Sequence, residues 1–280
     1  YKATLAWARR CVIAPLKQLI GGELRSLLWC PPGVLRILAP ANLWPGIAVT
    51  NVIDPCVRAS GPERAWGQTA LFVADPDVEG QRIPGSLEIA SRLAVAASTH
   101  GGLRTRVSRG ARFGAALSSA ILGLVNAPAD PKGFLDETLD AQLIILVAHG
   151  YVEPPLVAEL SLIEADGRVM QLPLQTIAED PRRIAGKTFI LLSCETARTG
   201  TWSHQAGGLA GALLACGARR LIAPLWPVLV DAAINLGEAL LIGLAAGRDP
   251  AQVLQDLART AGELTDGAPV STCAFVVWST

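Results

Sequence analysis

The stretch KTFILLSCETARTG (187–200) decides how this chain is read, because a block of apolar residues runs directly into a polar segment. The run FILL is continuous rather than alternating, which is the pattern of a strand buried on both faces of a parallel sheet. Cys194 stands two residues after this run, where the predicted strand ends and a polar loop begins. The stretch therefore predicts either a small core cysteine or a thiol presented at the open end of a strand.

A second stretch, AQLIILVAHG (141–150), has the same form and brings His149 and Gly150 to the end of another predicted buried strand. In open α/β sheets, ligands bind beyond the carboxyl ends of the strands. If the two strands are neighbours, the imidazole of His149 and the thiol of Cys194 emerge side by side, and a cysteine nucleophile needs such a base. The backbone N–H groups of Gly150 and Cys194 are then the expected donors to a substrate oxyanion.

The rest of the chain alternates between helical and strand patterns, which predicts an α/β fold with a mostly parallel central sheet and helices on both faces. One domain is predicted over 1–280, in which 1–70 is a candidate N-terminal subdomain and 71–280 the core. Helices are predicted at 4–20, 85–99, 112–125, 174–180, 205–218, 229–247 and 249–264. Strands are predicted at 25–30, 34–40, 46–53, 69–77, 103–108, 141–150, 187–194, 219–226 and 272–279, with a hairpin over 158–173.

Composition argues against several classes of function. The 24 basic and 24 acidic residues balance, and no dense basic stretch suggests binding to nucleic acid. No apolar run reaches the ~18 residues of a membrane span, and the N-terminus lacks the apolar segment of a secretory signal. The six cysteines form no C-x-x-C pair, so the sequence predicts neither a metal nor a cofactor. We expect a cytoplasmic protein that does not contact a membrane. The first residue, Tyr1, suggests a piece of a longer protein.

Several reactive residues have simpler explanations. Cys216 and Cys273 lie in apolar surroundings and are predicted to be core residues. His204 competes with His149 as a base, whereas His100 is predicted to lie in a helix-end turn. A serine hydrolase is disfavoured because the sequence has no G-x-S-x-G elbow, and GGLAG (207–211) lacks the G-x-G-x-x-G fingerprint of nucleotide binding. Strand-end position alone leaves both the catalytic and the core interpretation of Cys194 open.

Longer motifs resemble the CHAT family of caspase-like cysteine peptidases, which are relatives of separase. The similarity is carried by LIILVAHG (143–150), FILLSCETARTG (189–200), GGLAGALLACGARRLIAPLWPVLVDAAINL (207–236) and AFVVWS (274–279). It is good over about 140–280 and weaker through the N-terminal part. Two positions depart from the family pattern: Ser193 replaces the usual Ala, and Ala197 stands where Gly is usual after Glu-Thr.

This resemblance implies a caspase-like three-layer sandwich and an endopeptidase with His149 as base and Cys194 as nucleophile. It further implies a protein or peptide substrate, a regulated prokaryotic signalling, defence or cell-death pathway, and an activating sensor or regulatory domain upstream. Trp226 and Asp231 become candidate substrate-binding residues, although Asp231 equally suits a helix cap. The alternative is a CHAT-like module that binds partner proteins without catalysis.

Control of such a peptidase is predicted to reside in segment 195–208, which directly follows Cys194. Its Gly, Thr, Ser and Gln content leaves little apolar surface to bury, and glycines near both ends allow large backbone changes. We therefore expect this segment to be mobile or misfolded across the site in a resting state and to become ordered when a sensor or partner binds. The alternative is an ordinary surface loop.

Overall fold

The computed structural model describes residues 2–31, 35, 38–52, 69–74, 86–102, 104–108, 124–125, 138–147, 150–153, 157–163, 169–171, 179–193, 197, 208–260 and 274–279. An N-terminal helical rod consists of α1 (Lys2–Ala8), a π-helical turn (Arg9–Ile13) and α2 (Ala14–Ile20). The other described α-helices are α3 (Pro40–Leu43), α4 (Ser86–Gly101), α5 (Gly208–Ala215), α6 (Val230–Ala245) and α7 (Pro250–Thr260). The described strands are β1 (Ser26–Trp29), β2 (Ala48–Val52), β3 (Thr69–Ala74), β4 (Arg104–Ser108), β5 (Leu124–Val125), β6 (Leu143–Val147), β7 (Gly150–Glu153), β8 (Val157–Ile163), β9 (Val169–Gln171), β10 (Thr188–Leu191), β11 (Arg220–Pro224) and β12 (Phe275–Ser279).

Nine of the described strands form one sheet, in the order β1-β2-β12-β11-β10-β6-β3-β4-β5. Every neighbouring pair in this sheet is parallel except β11 and β12, which are antiparallel. The strands from β11 to β5 therefore run in one direction, and β12, β2 and β1 run in the opposite direction. The mostly parallel sheet that the alternating sequence pattern predicts is confirmed.

Two apolar layers cover the sheet, one on each face. The first layer contains Ile145, Ile190 and Ile222 and packs against α4, α6 and α7. The second layer contains the residues that alternate with these, such as Leu146 and Leu191, and packs against α5. Because successive side chains of a strand point to opposite faces, continuous apolar runs fill both layers at once. The result is the predicted three-layer sandwich.

The N-terminal rod forms a third cluster at one end of the sheet. Leu5 and Ile13 of the rod are buried against Trp44 and Val49. Since β2 pairs with β12, the first part of the chain contributes strands to the same sheet as the last part. A division into an N-terminal subdomain and a peptidase core stays a prediction.

Two of the predicted elements are wrong where the structure describes them. The strand expected at 34–40 is absent from its described residues: Leu35 and Leu38 are buried outside any strand, and Pro40 begins α3. The fixed φ of proline suits the first turn of a helix, which explains why the chain turns there. The helix expected at 112–125 ends in a strand instead, because Leu124 and Val125 pair with β4. Residues 112–123 of that helix, and 174–178 of another, lie outside the described residues.

A small antiparallel sheet, in the order β7-β8-β9, follows the end of β6. Strands β8 and β9 pair with Ser161 opposite Gln171 and Ile163 opposite Val169, which confirms the predicted hairpin. Its proposed turn at Asp166-Gly167 lies outside the described part. Strand β8 lies against α5, so this sheet sits on the second-layer side of the main sheet.

Candidate active site

The carboxyl ends of β6 and β10 lie side by side. The two strands are adjacent and parallel, with Thr188 opposite Leu143 and Leu191 opposite Leu146. All of the residues in both strands are buried, so a shift of register by one residue would exchange the side chains of the two apolar layers. Strand β6 ends two residues before His149, and strand β10 ends three residues before Cys194. Both of these residues lie outside the described part of the chain.

The pairing continues one residue beyond β10. The backbone N–H of Leu192 donates a 2.8 Å hydrogen bond to the carbonyl oxygen of Leu146, and the Leu192 side chain packs in the first layer. Ser193, which departs from the family pattern, is 1% exposed. The chain is therefore held by packing and pairing up to the residue that precedes Cys194.

Ala197 fixes the chain again three residues after Cys194. Its backbone N–H donates a 2.9 Å hydrogen bond to the carbonyl oxygen of Pro224, the last residue of β11. Its methyl group is fully buried in the second layer, in the same cluster as Leu209 and Leu213 of α5. The alanine that replaces the usual glycine thus contributes to the core. Residues 195–196 and 198–207 of the predicted control segment lie outside the described residues.

Two further predicted site residues follow β11 at the same edge. Trp226 is half-buried and packs against both apolar layers. Asp231 is exposed in the first turn of α6, whose N-cap position is occupied by Leu229. Asp231 is therefore not the N-cap residue, although a carboxylate in the first turn interacts favourably with the positive end of the helix dipole. A substrate-binding role for Trp226 and Asp231 stays a prediction.

Gly150 begins β7 immediately after His149, and it pairs with Leu160 of β8. The small antiparallel sheet therefore starts at the position where the sequence predicts a base and an oxyanion donor. Whether the Gly150 N–H serves an oxyanion stays a prediction.

The opposite edge of the sheet contains a buried lysine to which sequence reasoning assigned no role. Lys187 is 7% exposed and its Nζ donates to the carbonyl oxygens of Leu139, at 3.1 Å, and Ala141, at 2.6 Å. Burial lowers the pKa of this ammonium group, an effect that the nearby charge of Asp140 opposes. These bonds join the start of β10 to the turn that precedes β6. The only signal in the sequence is a lysine at the start of an apolar run.

A cluster of charges lies just before Lys187. The Asp180 carboxylate accepts hydrogen bonds from Arg182 Nε at 2.9 Å and from Arg183 Nε at 3.1 Å. The Arg182 and Arg183 hydrogen bonds lower the pKa of Asp180 to about 2. This cluster and Lys187 stabilise the amino end of β10 and lie far from the proposed chemistry.

The other reactive residues are accounted for where they are described. His100 lies exposed in the last turn of α4, as predicted, whereas His204 and Cys273 lie outside the described residues. Cys216 is half-buried against the second layer, and burial raises the pKa of its thiol, which disfavours the reactive thiolate.

Within the described ranges, no three His, Cys, Asp or Glu side chains are grouped as metal ligands would be. None of the helices in that part of the chain has the length and apolar character needed to cross a membrane.

The fold defined by this sheet and its layers is that of the caspase-like cysteine peptidases. A structure of the complex of Porphyromonas gingivalis RgpB pro- and mature domains aligns with a TM-score of 0.58 at 10% identity, covering 97% of this chain and 68% of that chain. The Arg-specific cysteine proteinase gingipain R (RgpB) aligns with a TM-score of 0.59 at 10% identity, covering 97% and 66%. The Saccharomyces cerevisiae separase–securin complex aligns with a TM-score of 0.46 at 11% identity, covering 83% and 14%.

The family model of the CHAT domain matches residues 2–266. The chain therefore belongs to the CHAT domain family, as its motifs predict. It spans about two thirds of the length of the gingipain chains with which it aligns. No curated protein matches its sequence.

Proposed function

We propose that the chain is a cysteine endopeptidase that cleaves a protein partner with a dyad of His149 and Cys194. The observation that carries the proposal is the register of β6 and β10. Each residue of β10 pairs with the residue of β6 that lies 45 positions earlier, and His149 and Cys194 are separated by the same 45 positions. If this register continues past Leu192, the two residues lie opposite one another on neighbouring strands, which are ~4.8 Å apart.

The alternation of side chains supports the same arrangement. Val147 and Leu192 both pack in the first layer, and each stands two residues before a member of the dyad. Because side chains of an extended chain alternate with a period of two, His149 and Cys194 would leave the strands toward the same face of the sheet. In that arrangement the imidazole and the thiol would be within reach of proton transfer.

The chemistry follows from these positions. His149 accepts the thiol proton, and the Cys194 thiolate attacks the scissile carbonyl carbon. The N–H groups of Gly150 and Cys194 stabilise the oxyanion of the tetrahedral intermediate. His149 then returns its proton to the leaving amine, and a water molecule hydrolyses the remaining thioester. No metal or cofactor takes part in these steps.

The biological setting forms part of the proposal. The expected substrate is a protein in a regulated prokaryotic signalling, defence or cell-death pathway in the cytoplasm, and an upstream sensor or regulatory domain is the expected activator. Trp226 and Asp231, which follow β11 at the same edge, are the proposed substrate contacts. Buried Ala197 supports a control segment that is fixed at its start, so that rearrangement would be confined to the residues after it.

Protein cleavage in a proteome tests the proposal directly. The protein and its Cys194→Ala variant are incubated with a bacterial cytoplasmic extract, and newly formed N-termini are labelled and identified by mass spectrometry. We expect a set of cleavage sites with the wild type that is missing with both Cys194→Ala and His149→Ala. In a second assay the protein is treated with a peptidyl electrophile and modification of Cys194 is measured. This assay does not depend on finding the substrate. Full cleavage by either variant would contradict the dyad.

A non-catalytic interaction module is the second candidate function. It is favoured if the wild type produces no new termini and Cys194 reacts with the electrophile no faster than Cys216 does. The presence of both His149 and Cys194, which would lie opposite one another if the register of β6 and β10 continues, favours the enzyme.

A further inference from the structure

A cationic cleft lies between the N-terminal rod and the residues that precede β2. It has a volume of about 300 Å³ and is lined by Arg9, Ile13, Ala14, Lys17, Leu43 and Pro45. Two of these side chains are cations and the others are apolar. The cleft therefore offers positive charge at its mouth and an apolar wall beside it.

Neither cation is paired with a carboxylate from the described part of the chain, and each interacts with other groups of the protein. Arg9 Nε donates a 2.8 Å hydrogen bond to the carbonyl oxygen of Asn42, which leaves its terminal nitrogens available. Lys17 Nζ lies 5.8 Å from the centroid of the Trp44 ring. Trp44 is buried and packs edge-to-face on Trp29, with 5.6 Å between the centroids of the two rings. The wall of the cleft is thus built on the core, and its charges are positioned before a ligand arrives.

These cations differ from most other described arginines, which are neutralised locally. Ion pairs with Asp or Glu are made by Arg25, Arg92, Arg182, Arg183, Arg248 and Arg259. No Asp or Glu precedes Glu23 in the sequence, so the rod is cationic in a chain whose net charge is zero. Such a local excess of positive charge attracts an acidic ligand.

The topology brings this cleft to the edge of the sheet at which β6 and β10 end. Strand β12 is antiparallel to β11, with Phe275 opposite Pro224, and β2 is parallel to β12. Consequently β2 begins at the edge where β6, β10 and β11 end. Pro45 stands three residues before Ala48, the first residue of β2, and thus within about 10 Å of it.

We propose that this cleft is an exosite that binds an acidic segment of the protein substrate, with a carboxylate on Arg9 and Lys17 and an apolar side chain against Ile13 and Leu43. The inference rests on the proposed peptidase function. Strands β2 and β10 are separated by β12 and β11, a distance of about 14 Å. With the residues that lead to the cleft, an extended substrate needs roughly five to eight residues between its acidic position and the scissile bond.

Binding is measured without cleavage, with the full chain carrying Cys194→Ala. The probe is a fluorescein-labelled twelve-residue peptide containing Glu-Leu-Glu in a Gly/Ser background, followed by fluorescence anisotropy. Its controls are a peptide with Lys in place of both Glu residues and one with Ser in place of Leu. We expect the acidic peptide to bind, and both control peptides to bind about tenfold more weakly or not at all.

Matched variants locate the binding site. Arg9→Glu and Lys17→Glu should each weaken binding of the acidic peptide at least about tenfold. Arg10→Glu makes the same change of charge at an exposed neighbour that does not line the cleft, and it should weaken binding less than about threefold. Within the described residues the side chain of Lys17 makes no hydrogen bond, so Lys17→Glu keeps the test valid if Arg9→Glu fails to fold, as judged by circular dichroism.

Three outcomes would overturn the exosite. The first is equal loss of binding in all three variants, since net charge rather than the cleft would then explain it. The second is binding only to phosphatidylserine vesicles or to a single-stranded oligonucleotide. The third is failure of the acidic peptide to bind. Cleavage sites with acidic residues five to eight positions away would support the exosite. Peptide binding without any cleavage would contradict the peptidase function but not the binding site.

Discussion

The backbone N–H of Leu192 and the carbonyl oxygen of Leu146 are joined by a 2.8 Å hydrogen bond between adjacent parallel strands. Leu192 stands two residues before Cys194, and Leu146 stands three residues before His149. Together with the Ala197–Pro224 bond, it holds the chain on both sides of the proposed nucleophile. Rearrangement of the site is therefore expected in the residues after Ala197 rather than in the strands.

Hydrogen exchange tests this expectation. The amides of Leu192 and Ala197 should be protected both with and without an activating partner, because both are hydrogen-bonded to neighbouring strands. Exchange in 198–208 should slow when the partner binds and activity rises. A large gain in activity without any change across 195–208 would show that the control element lies elsewhere.

Substrate preference should depend on the segment that follows β11. Trp226→Ala and Asp231→Ala are each expected to change the distribution of residues around the cleavage sites, since both positions lie at the edge where β10 and β11 end. Asn235→Ala, an exposed change one turn further along α6, serves as the control. If the profiles of all three variants equal that of the wild type, the pocket is built from other residues.

The close packing of α6 on α7 gives a test of stability. A Cβ added to Gly243 would lie 2.5 Å from Val253 Cγ2, whereas a Cβ added to Gly237 would meet the flexible ends of Leu192 and Leu93 at 3.0 and 3.4 Å. Overpacking of a core typically costs 1–3 kcal/mol, so we expect Gly243→Ala to lower the free energy of unfolding by about 2 kcal/mol. Gly237→Ala gains the same helix propensity and should cost less.

Urea denaturation measures both effects. In a protein that already carries Val253→Ala, Gly243→Ala should lower the free energy of unfolding much less than it does in the wild type, because the clashing methyl is then absent. Equal unfolding midpoints for Gly243→Ala and Gly237→Ala would show that α6 and α7 are further apart than described.

Acid sensitivity should be traceable to Asp180. Its pKa is lowered from 3.8 to about 2 by the Arg182 and Arg183 hydrogen bonds, so its carboxylate stabilises the folded state above pH 3.8. This contribution is lost as the pH falls from 3.8 toward 2, because the folded state then takes up the proton that the unfolded state already holds. The urea midpoint of the wild type should exceed that of Asp180→Asn at pH 6, and the difference should shrink below pH 4. A difference that stays constant from pH 6 to pH 2 would contradict this role.

The three-layer sandwich could be predicted because its central strands have a distinctive apolar pattern in the sequence. The runs around Ile145 and Ile190 are apolar at every position, which only a strand with both faces covered requires. The stretch 34–40 has the apolar pattern of a strand, and the single local signal for the helix that begins at Pro40 is the proline itself. Leu124 and Val125 are too short a pair to outweigh the helical spacing before them, and their pairing with β4 depends on distant residues.

The candidate site follows from the sequence only as a hypothesis. Hydrophobicity places the strand ends, and the family motifs then make His149 and Cys194 the proposed dyad. The adjacency and register of β6 and β10 are properties of the folded sheet, as are the buried contacts of Lys187 and Ala197. The cleft at Arg9 and Lys17 combines residues of the rod with the turn before β2, and no local pattern marks that meeting.

The central claim, that His149 lies beside Cys194 and activates its thiol, is tested most directly by the alkylation rate of Cys194. Wild type and His149→Gln are treated with iodoacetamide at pH 6.5, and modification of Cys194 and Cys216 is followed by peptide mass spectrometry. Because a thiolate is the reactive form, we expect Cys194 of the wild type to react at least about tenfold faster than Cys216, and His149→Gln to remove most of that difference. Equal rates for Cys194 in the wild type and in His149→Gln would contradict the dyad.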